Sequence, residues 1–245
     1  MYTFLGSLDG YKDQATTEAM TATLAMLTRC KLYMHIMLSN DRIFDVLDVT
    51  ISLLGQFKDI LRVQESCCVA IVCICAHESI QFNTSRRGQI SKVFQTLTQS
   101  QEPTLLHSIL SGILVLADKG VNEMLTKENL VRVTEIAQLY SSHQELTLIC
   151  CAIFRLYSAD EVFRFDLCSN TVLDFLFVKA SCGDAVAREL AAVTLCNLTN
   201  YEESCRSIVA RGLVPLLPSL SCTDPAVQDI YVRYIHTFLF VNSFP

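Results

Sequence analysis

The chain of 245 residues contains no tryptophan, and only 5 of its residues are proline and 8 are glycine. Interdomain linkers are usually rich in glycine, serine or proline, and no such stretch occurs here. We therefore expect one domain that covers residues 1–245. Hydrophobic residues make up 51% of the chain, which is ample for a folded core and argues against disorder.

Long apolar runs are also missing. The longest, at residues 66–76 and 105–117, fall short of the roughly 18 residues that a membrane-spanning helix needs. The first residues, MYTFLGSLDG, lack the basic start and the sustained apolar core of a signal peptide. We expect a protein without a membrane span.

The charges are scattered rather than grouped. The 19 Lys and Arg residues and 25 Asp and Glu residues give a formal net charge of −6. Nucleic-acid binding usually requires a basic patch. This pattern therefore argues against a nucleic-acid partner.

Cysteine, in contrast, is abundant, with 12 residues. Most of them lie inside apolar helical runs, such as Cys67-Cys68 and Cys150-Cys151. A free cysteine behaves as a small buried hydrophobe, and this usage is typical of a reducing compartment. The composition thus predicts an intracellular protein, placed in the cytoplasm.

The clearest signals for helix starts and ends occur in residues 189–220, ELAAVTLCNLTNYEESCRSIVARGLVPLLPSL. They predict an apolar helix, a polar turn, a short helix that ends at Gly212, and a further helix with Pro215 in its first turn. Earlier segments repeat the apolar positions of the first helix after shifts of about 41 residues, which is typical of helical repeat arrays. The four equivalent sets are Ala191, Ala192, Leu195, Leu198; Cys150, Cys151, Phe154, Tyr157; Ile109, Leu110, Ile113, Leu116; and Cys68, Val69, Val72, Cys75.

The helix breaks follow the same period. Gly212 corresponds to Thr171, Asn129 and Gly88, and glycine and asparagine readily take the left-handed conformation that ends a helix. We accordingly expect a short helix to end near each of these residues, with Ser85, Arg86 and Arg87 at the end of the first. Spacing is looser in the earliest unit, so residues 28–42 are predicted to hold an insertion or a variant turn.

AAVTLCNLTN and ARGLVPLL resemble the last helix and the following entry of an armadillo repeat. The resemblance implies an all-α, right-handed α-solenoid of about five stacked armadillo-type repeats that begins and ends within a repeat. A longer array, packed end to end with further repeats, stays open. A HEAT-like superhelix is the alternative, since both families stack helical units of similar period.

In armadillo proteins the last helix of each repeat lines a concave groove, and two groove residues four positions apart share one face of that helix. Carried over by position, this column consists of Glu189, Val193 and Asn197 in the best unit. Equivalent positions are Leu148, Ala152, Leu156; His107, Ser111, Val115; Ser66, Ala70, Ile74; and Ile230, Tyr234, Phe238. We expect Asn197, Val193, Glu189, His107, Ser111, Tyr234 and Phe238 to contact a partner.

The resemblance implies a non-catalytic scaffold that binds a peptide or a helix of another protein in this groove. Members of the family act in nuclear import, adhesion, cytoskeletal and ciliary assembly, so nuclear or cytoskeletal association stays open. A nuclear-transport receptor for basic signal peptides is an alternative. It is disfavoured because the chain has no tryptophan, and because only Asn197 provides the groove asparagine of that subfamily.

The second alternative is a thiol- or metal-dependent enzyme. The chain has no Gly-x-Ser-x-Gly, no glycine-rich phosphate loop and no His-Glu-x-x-His, and we expect no catalytic residue. Cys73 and His77, with Cys67 or Cys68 nearby, form the best metal candidate. Their spacing differs from the paired ligand motifs of zinc sites, so we predict a structural role for these residues, and no metal or cofactor.

Overall fold

The structure, a computed structural model, describes residues 13–40, 42–120 and 122–199, together with Ser204, Arg206 and Ile208. These residues form eleven α-helices, two 3-10 turns and no strand. In chain order the helices are α1 (Gln14–Arg29), α2 (Lys31–Ser39), α3 (Ile43–Gln56), α4 (Leu61–Ala76), α5 (Thr84–Leu97), α6 (Pro103–Asp118), α7 (Lys127–Leu139), α8 (Gln144–Ala159), α9 (Arg164–Leu167), α10 (Asn170–Cys182) and α11 (Ala185–Thr199). None of the helices in the described part of the chain is long and apolar enough to cross a membrane.

The helices recur with a regular period. The long helices α4, α6, α8 and α11 begin at Leu61, Pro103, Gln144 and Ala185, so their starts are 41 or 42 residues apart. We call these four, with α1, the third-position helices. The helices before them, α3, α5, α7 and α10, are the second-position helices. The repeat period predicted from the sequence is therefore confirmed.

The earliest repeat is longer than the others. Helix α2 occupies Lys31–Ser39, inside the segment 28–42 that was predicted to hold an insertion or a variant turn. The later repeats have only short structure before the second-position helix, such as the 3-10 turns Asn122–Met124 and Glu161–Phe163. The extra helix accounts for the looser spacing of the sequence pattern here.

The chain divides into two compact units, residues 1–124 and 125–245. In the first unit, α4 packs against both α1 and α6. In the second unit, α8 packs against α11. Within each repeat the second-position helix packs on the third-position helix that follows it. This arrangement leaves one row of third-position helices and one row of second-position helices in each unit.

The predicted helix breaks at Gly88, Asn129 and Thr171 are wrong. All three residues lie inside the first part of a helix, in α5, α7 and α10. In α5 and α7 a polar side chain upstream starts the helix earlier: the Asn83 side chain accepts from the Arg86 N–H at 2.9 Å, and the Thr126 hydroxyl accepts from the Asn129 N–H at 3.1 Å. An N-cap satisfies a backbone donor that would otherwise lack a partner, so the cap determines the helix start.

The pair Arg86-Arg87 consequently lies at the start of α5, and not at the helix end that the sequence pattern predicts. A positive charge is unfavourable at this end of the helix dipole. Arg86 is stabilised by tertiary contacts: its guanidinium stacks on the Phe44 ring, 4.3 Å from the centroid, and pairs with Asp48 at 3.3 Å. Arg87 Nε donates to the Phe82 carbonyl at 2.9 Å.

The core follows the predicted apolar sets closely in α6, α8 and α11, whose twelve assigned positions are all buried. Helix α4 differs. Val69 and Val72, assigned to the core, are half-exposed, whereas Ile71 and Ile74 are fully buried. The start of α6 follows that of α4 by 42 residues, and a slip of one residue rotates the helix face by about 100°. The correct equivalents in α4 are Cys67, Cys68, Ile71 and Ile74.

Candidate binding surface on the third-position helices

The second unit presents two adjacent columns of accessible side chains. On α11, Glu189 is exposed, and Val193 and Asn197 are half-exposed. On α8, Leu148, Ala152 and Leu156 are all half-exposed. The i, i+4 spacing places each set on one helix face, and α8 packs directly on α11. The two columns form a mainly apolar surface that is accessible to solvent.

Asn197 connects the α11 column to helix α8. Its Nδ2 donates to Ser158 Oγ on α8 at 2.9 Å. Ser158 is fully buried, and its hydroxyl donates in turn to the Arg155 carbonyl at 2.7 Å. The position of Asn197 in the column was expected, whereas its bond to the neighbouring third-position helix was not, because sequence spacing does not reveal a contact between two repeats.

Val186 extends the α11 column by one further turn. Its side chain is 52% exposed, and it precedes Val193 by seven residues, which places both on the same helix face. The column predicted from the sequence begins at Glu189 and does not include Val186. The seven-residue spacing of the two valines was the signal that could have included it.

In the first unit, the α6 column consists of His107, Ser111 and Val115, which are all half-exposed. The Ser111 hydroxyl donates to the backbone carbonyl of His107 at 2.8 Å. His107 and Ser111 thus lie on the accessible face of a third-position helix, where the sequence placed them. Their contact with a partner remains a prediction.

The α4 column predicted from the sequence is wrong. The cause is the same one-residue slip in repeat spacing that led to the wrong core residues in α4. Ala70 and Ile74 are fully buried. Glu65, Val69 and Cys73 are half-exposed and share the i, i+4 spacing. These three residues are the accessible column of α4, and the Thr104 hydroxyl of α6 donates to the Glu65 carboxylate.

Two further predicted site residues, Tyr234 and Phe238, lie outside the described residues. The same holds for Gly212 and Pro215, on which part of the armadillo resemblance depends. For these four residues the expectations stand as stated.

The buried cysteines are protonated thiols. Burial raises the pKa of Cys67, Cys75 and Cys151 from about 9 to about 12, and it raises the pKa of Cys68 and Cys150 as well. A reactive cysteine requires the opposite shift, because the thiolate is the nucleophile. These five thiols therefore fit a role in core packing.

The metal candidate does not assemble into a site. Cys67 and Cys68 point into the core with no exposed area, and His77 caps the end of α4, with its Nδ1 accepting from the Ser79 N–H at 3.3 Å. Among the residues that the structure describes, no group of three or more His, Cys, Asp or Glu side chains could hold a metal ion.

Comparisons with known proteins identify the fold. No family model matches the chain, and no curated protein matches it significantly. Among solved structures, a designed armadillo repeat protein is 13% identical, with a TM-score of 0.73 over 96% of this chain and 98% of that chain. Computationally designed armadillo repeat proteins for modular peptide recognition match with 14% identity and a TM-score of 0.73, over 96% of this chain and 98% of that chain.

A third structure is a designed armadillo repeat protein in complex with the peptide (KR)4, with 13% identity, a TM-score of 0.70, and coverage of 96% of this chain and 98% of that chain. At such low identities the similarity shows the fold alone. The chain has the fold of an armadillo repeat protein, an all-α solenoid, as the sequence resemblance predicted.

Proposed function

We propose that this protein is a non-catalytic scaffold, and that the paired columns on α8 and α11 bind a segment of another protein. One observation carries the proposal: two accessible columns lie side by side on packed helices, with apolar side chains along most of their length and an amide at one end. Apolar side chains stabilise a bound segment by burial, and an asparagine amide can both donate to and accept from a partner's backbone.

The chemistry of the columns favours an apolar ligand face. Leu148, Ala152, Leu156 and Val193 offer no charge, and Glu189 is the single carboxylate of the two columns. An amphipathic helix, or an extended segment with apolar side chains, fits this surface better than a basic signal peptide does. The lack of tryptophan in the chain also speaks against the nuclear-transport alternative.

The non-catalytic part of the proposal is supported by the cysteines, since the five buried thiols have raised pKa values. All ten described cysteines are free, which supports the proposed intracellular location. Residues 1–245 are proposed to act as one armadillo-type domain whose ligand is a protein rather than nucleic acid.

The test uses capture of partners from the source cells by the full chain and by two matched variants. Val193→Glu places a carboxylate in the middle of the α11 column. Val131→Glu makes the same change on second-position helix α7, where the valine is 59% exposed. We expect a partner that binds the wild type and Val131→Glu but not Val193→Glu, with both variants folded by circular dichroism.

Partners retained by folded Val193→Glu would contradict the assignment of the binding face. Direct titration of an identified partner segment then measures the effect of Asn197→Ala. We expect weaker binding, because the amide is lost from the end of the column. Unchanged affinity per folded molecule would limit Asn197 to a structural role.

A further inference from the structure

A groove with a volume of about 840 Å³ runs along the first unit between second-position helices α3 and α5. It belongs to the other row of helices and is therefore separate from the third-position columns. Both helices have 14 residues, which corresponds to a length of about 20 Å at 1.5 Å per residue. The groove is therefore long enough for three to four turns of a bound helix.

The groove has apolar side chains from both helices. Ile51 and Leu54 line it from α3, and Val93 and Leu97 line it from α5. Leu54 is buried and the other three are half-exposed. Gly55 also lines the groove, and a Cβ added there would meet no atom within 4 Å. The first atom of a side chain introduced at Gly55 would therefore lie in open space at the groove wall.

The charge of the groove is opposite to that of the whole chain. Three cations, Lys58, Arg86 and Lys92, line it against one carboxylate, Asp48. Arg86 pairs with Asp48 at 3.3 Å. Lys58 and Lys92 are exposed, and neither forms an ion pair with another residue that the structure describes. Two positive charges are thus available in a protein whose formal net charge is −6.

The corresponding grooves in the second unit lack this property. One, of about 520 Å³, lies between α7 and the segment from α9 to the start of α10, and the other, of about 600 Å³, lies between α7 and α10. Together they are lined by three carboxylates against two lysines. The positive charge therefore distinguishes the α3–α5 groove from these two grooves of the second unit. It does not follow from the repeat architecture alone.

We infer that the α3–α5 groove is a second protein-docking site, whose ligand is an amphipathic helix with acidic residues beside its apolar face. The apolar face of this helix would pack on Ile51, Val93 and Leu97. Its carboxylates would pair with Lys58 and Lys92. Charges at the rim of an interface contribute to partner choice and to the association rate, and burial of apolar side chains provides most of the affinity.

The test begins with a panel of helical peptides and the full chain. A fluorescein-labelled library of 14-residue helical peptides carries leucine or phenylalanine at i, i+4, i+7 and i+11, with glutamate flanking this face. A matched library carries lysine at the glutamate positions. We expect fluorescence anisotropy to show binding of acidic members only, with an affinity that decreases as salt is raised.

Matched variants locate the bound peptide. Gly55→Phe fills the groove and should abolish binding. Gly88→Phe should not, because Gly88 also faces open space but does not line the groove. The double variant Lys58→Glu, Lys92→Glu should weaken binding about tenfold or more. Lys31→Glu, an exposed lysine on α2, should leave the affinity unchanged.

Four outcomes would overturn the inference. Equal binding of the acidic and basic libraries would remove the charge argument. Binding that persists in folded Gly55→Phe would place the peptide elsewhere, and loss of binding in Val193→Glu instead would place it on the third-position columns. Concentration-dependent dimerisation that Gly55→Phe abolishes, without peptide binding to the monomer, would make a second copy of the chain the ligand. Peptide binding and partner capture are measured separately, so the α3–α5 groove and the surface on α8 and α11 can each fail without the other.

Discussion

The side-chain amide of Asn197 donates a hydrogen bond of 2.9 Å to the hydroxyl of Ser158, a residue 39 positions earlier in the chain. The bond links the third-position helices of two adjacent repeats. It also fixes the orientation of the Asn197 amide at the end of the candidate binding surface. One residue thus combines a contact between repeats with a position on that surface.

The contribution of this bond can be measured by a double-mutant cycle. We expect Asn197→Ala to lower the free energy of unfolding by about 1 kcal/mol, because one partly buried hydrogen bond is lost. Ser158→Ala and the double variant complete the cycle in urea unfolding experiments. The coupling energy should be about 0.5 to 1 kcal/mol. Strict additivity of the two substitutions would show that the bond adds nothing to stability.

Gly112 is predicted to be intolerant of even one added methyl group. It lies buried in α6, and a Cβ there would come within 2.5 Å of the Phe94 ring and 3.1 Å of a Val72 methyl. Phe94 is itself fully buried and cannot move freely. We expect Gly112→Ala to lower the free energy of unfolding by about 2 kcal/mol, although alanine is the better helix former.

Gly55→Ala is the matched control, because the same methyl group in α3 meets open space. It should raise the free energy of unfolding by about 0.5 kcal/mol through helix propensity. Phe94→Leu in the Gly112→Ala background should recover part of the loss. A similar effect of both glycine substitutions would contradict the close packing of α6 on Phe94.

Because the thiols are buried, we expect the free energy of unfolding to decrease at alkaline pH. The folded state holds the pKa of Cys67 at about 12, against an ordinary value of about 9. Below pH 9 the thiol is protonated in both states, and its contribution is fully present. Between pH 9 and 12 the unfolded chain releases the proton while the folded chain keeps it. The free energy of unfolding therefore falls with rising pH, by about 1.4 kcal/mol per pH unit for each such thiol.

Urea unfolding at pH 8, 9 and 10, with reductant present, measures this dependence. Cys67→Ala should have a shallower slope above pH 9 than the wild type, whatever its stability at pH 8. Equal slopes for the two proteins would show that the Cys67 thiol is less protected than its burial implies.

The fourth prediction concerns the stability contributed by the hydroxyl group of Tyr157, a core residue of α8. Its ring is fully buried, lies edge-on to Phe163 with centroids 4.8 Å apart, and its hydroxyl donates to the Thr126 carbonyl at 2.9 Å. Tyr157→Phe keeps the ring and loses the bond, so we expect a destabilisation of about 1 kcal/mol. Tyr157→Leu also removes the ring contact and should cost at least twice as much. A neutral Tyr157→Phe would show that the bond makes no net contribution.

The repeat period and most of the core could be predicted from the sequence, because burial along a helix repeats with helical spacing. Ile109, Leu110, Ile113 and Leu116 illustrate this, since four apolar residues at that spacing define a buried face whatever the partner helix is. The accessible columns of α6, α8 and α11 follow as the remaining part of the same helices. Local pattern was sufficient for these features.

Other features depend on which of two local signals prevails, or on contacts between residues far apart in the sequence. Gly88 resembles a helix end, but the Asn83 cap starts α5 at Thr84, four residues before Gly88. One additional residue between the starts of α4 and α6 rotated the predicted column of α4 onto its buried face. The contact of Arg86 with Phe44, like that of Asn197 with Ser158, joins residues about 40 positions apart. No local signal encodes such pairs.

The buried cysteines of α4 and α8 can be used to measure local unfolding of the protein. Cys67 and Cys68 in the first unit, and Cys150 and Cys151 in the second, have no exposed area. A thiol reagent can reach each pair only when its own helix separates from its neighbours. In repeat proteins such openings can occur locally. The labelling rates of the two pairs would therefore report the opening free energies of the two units separately, with the natural sequence as its own probe.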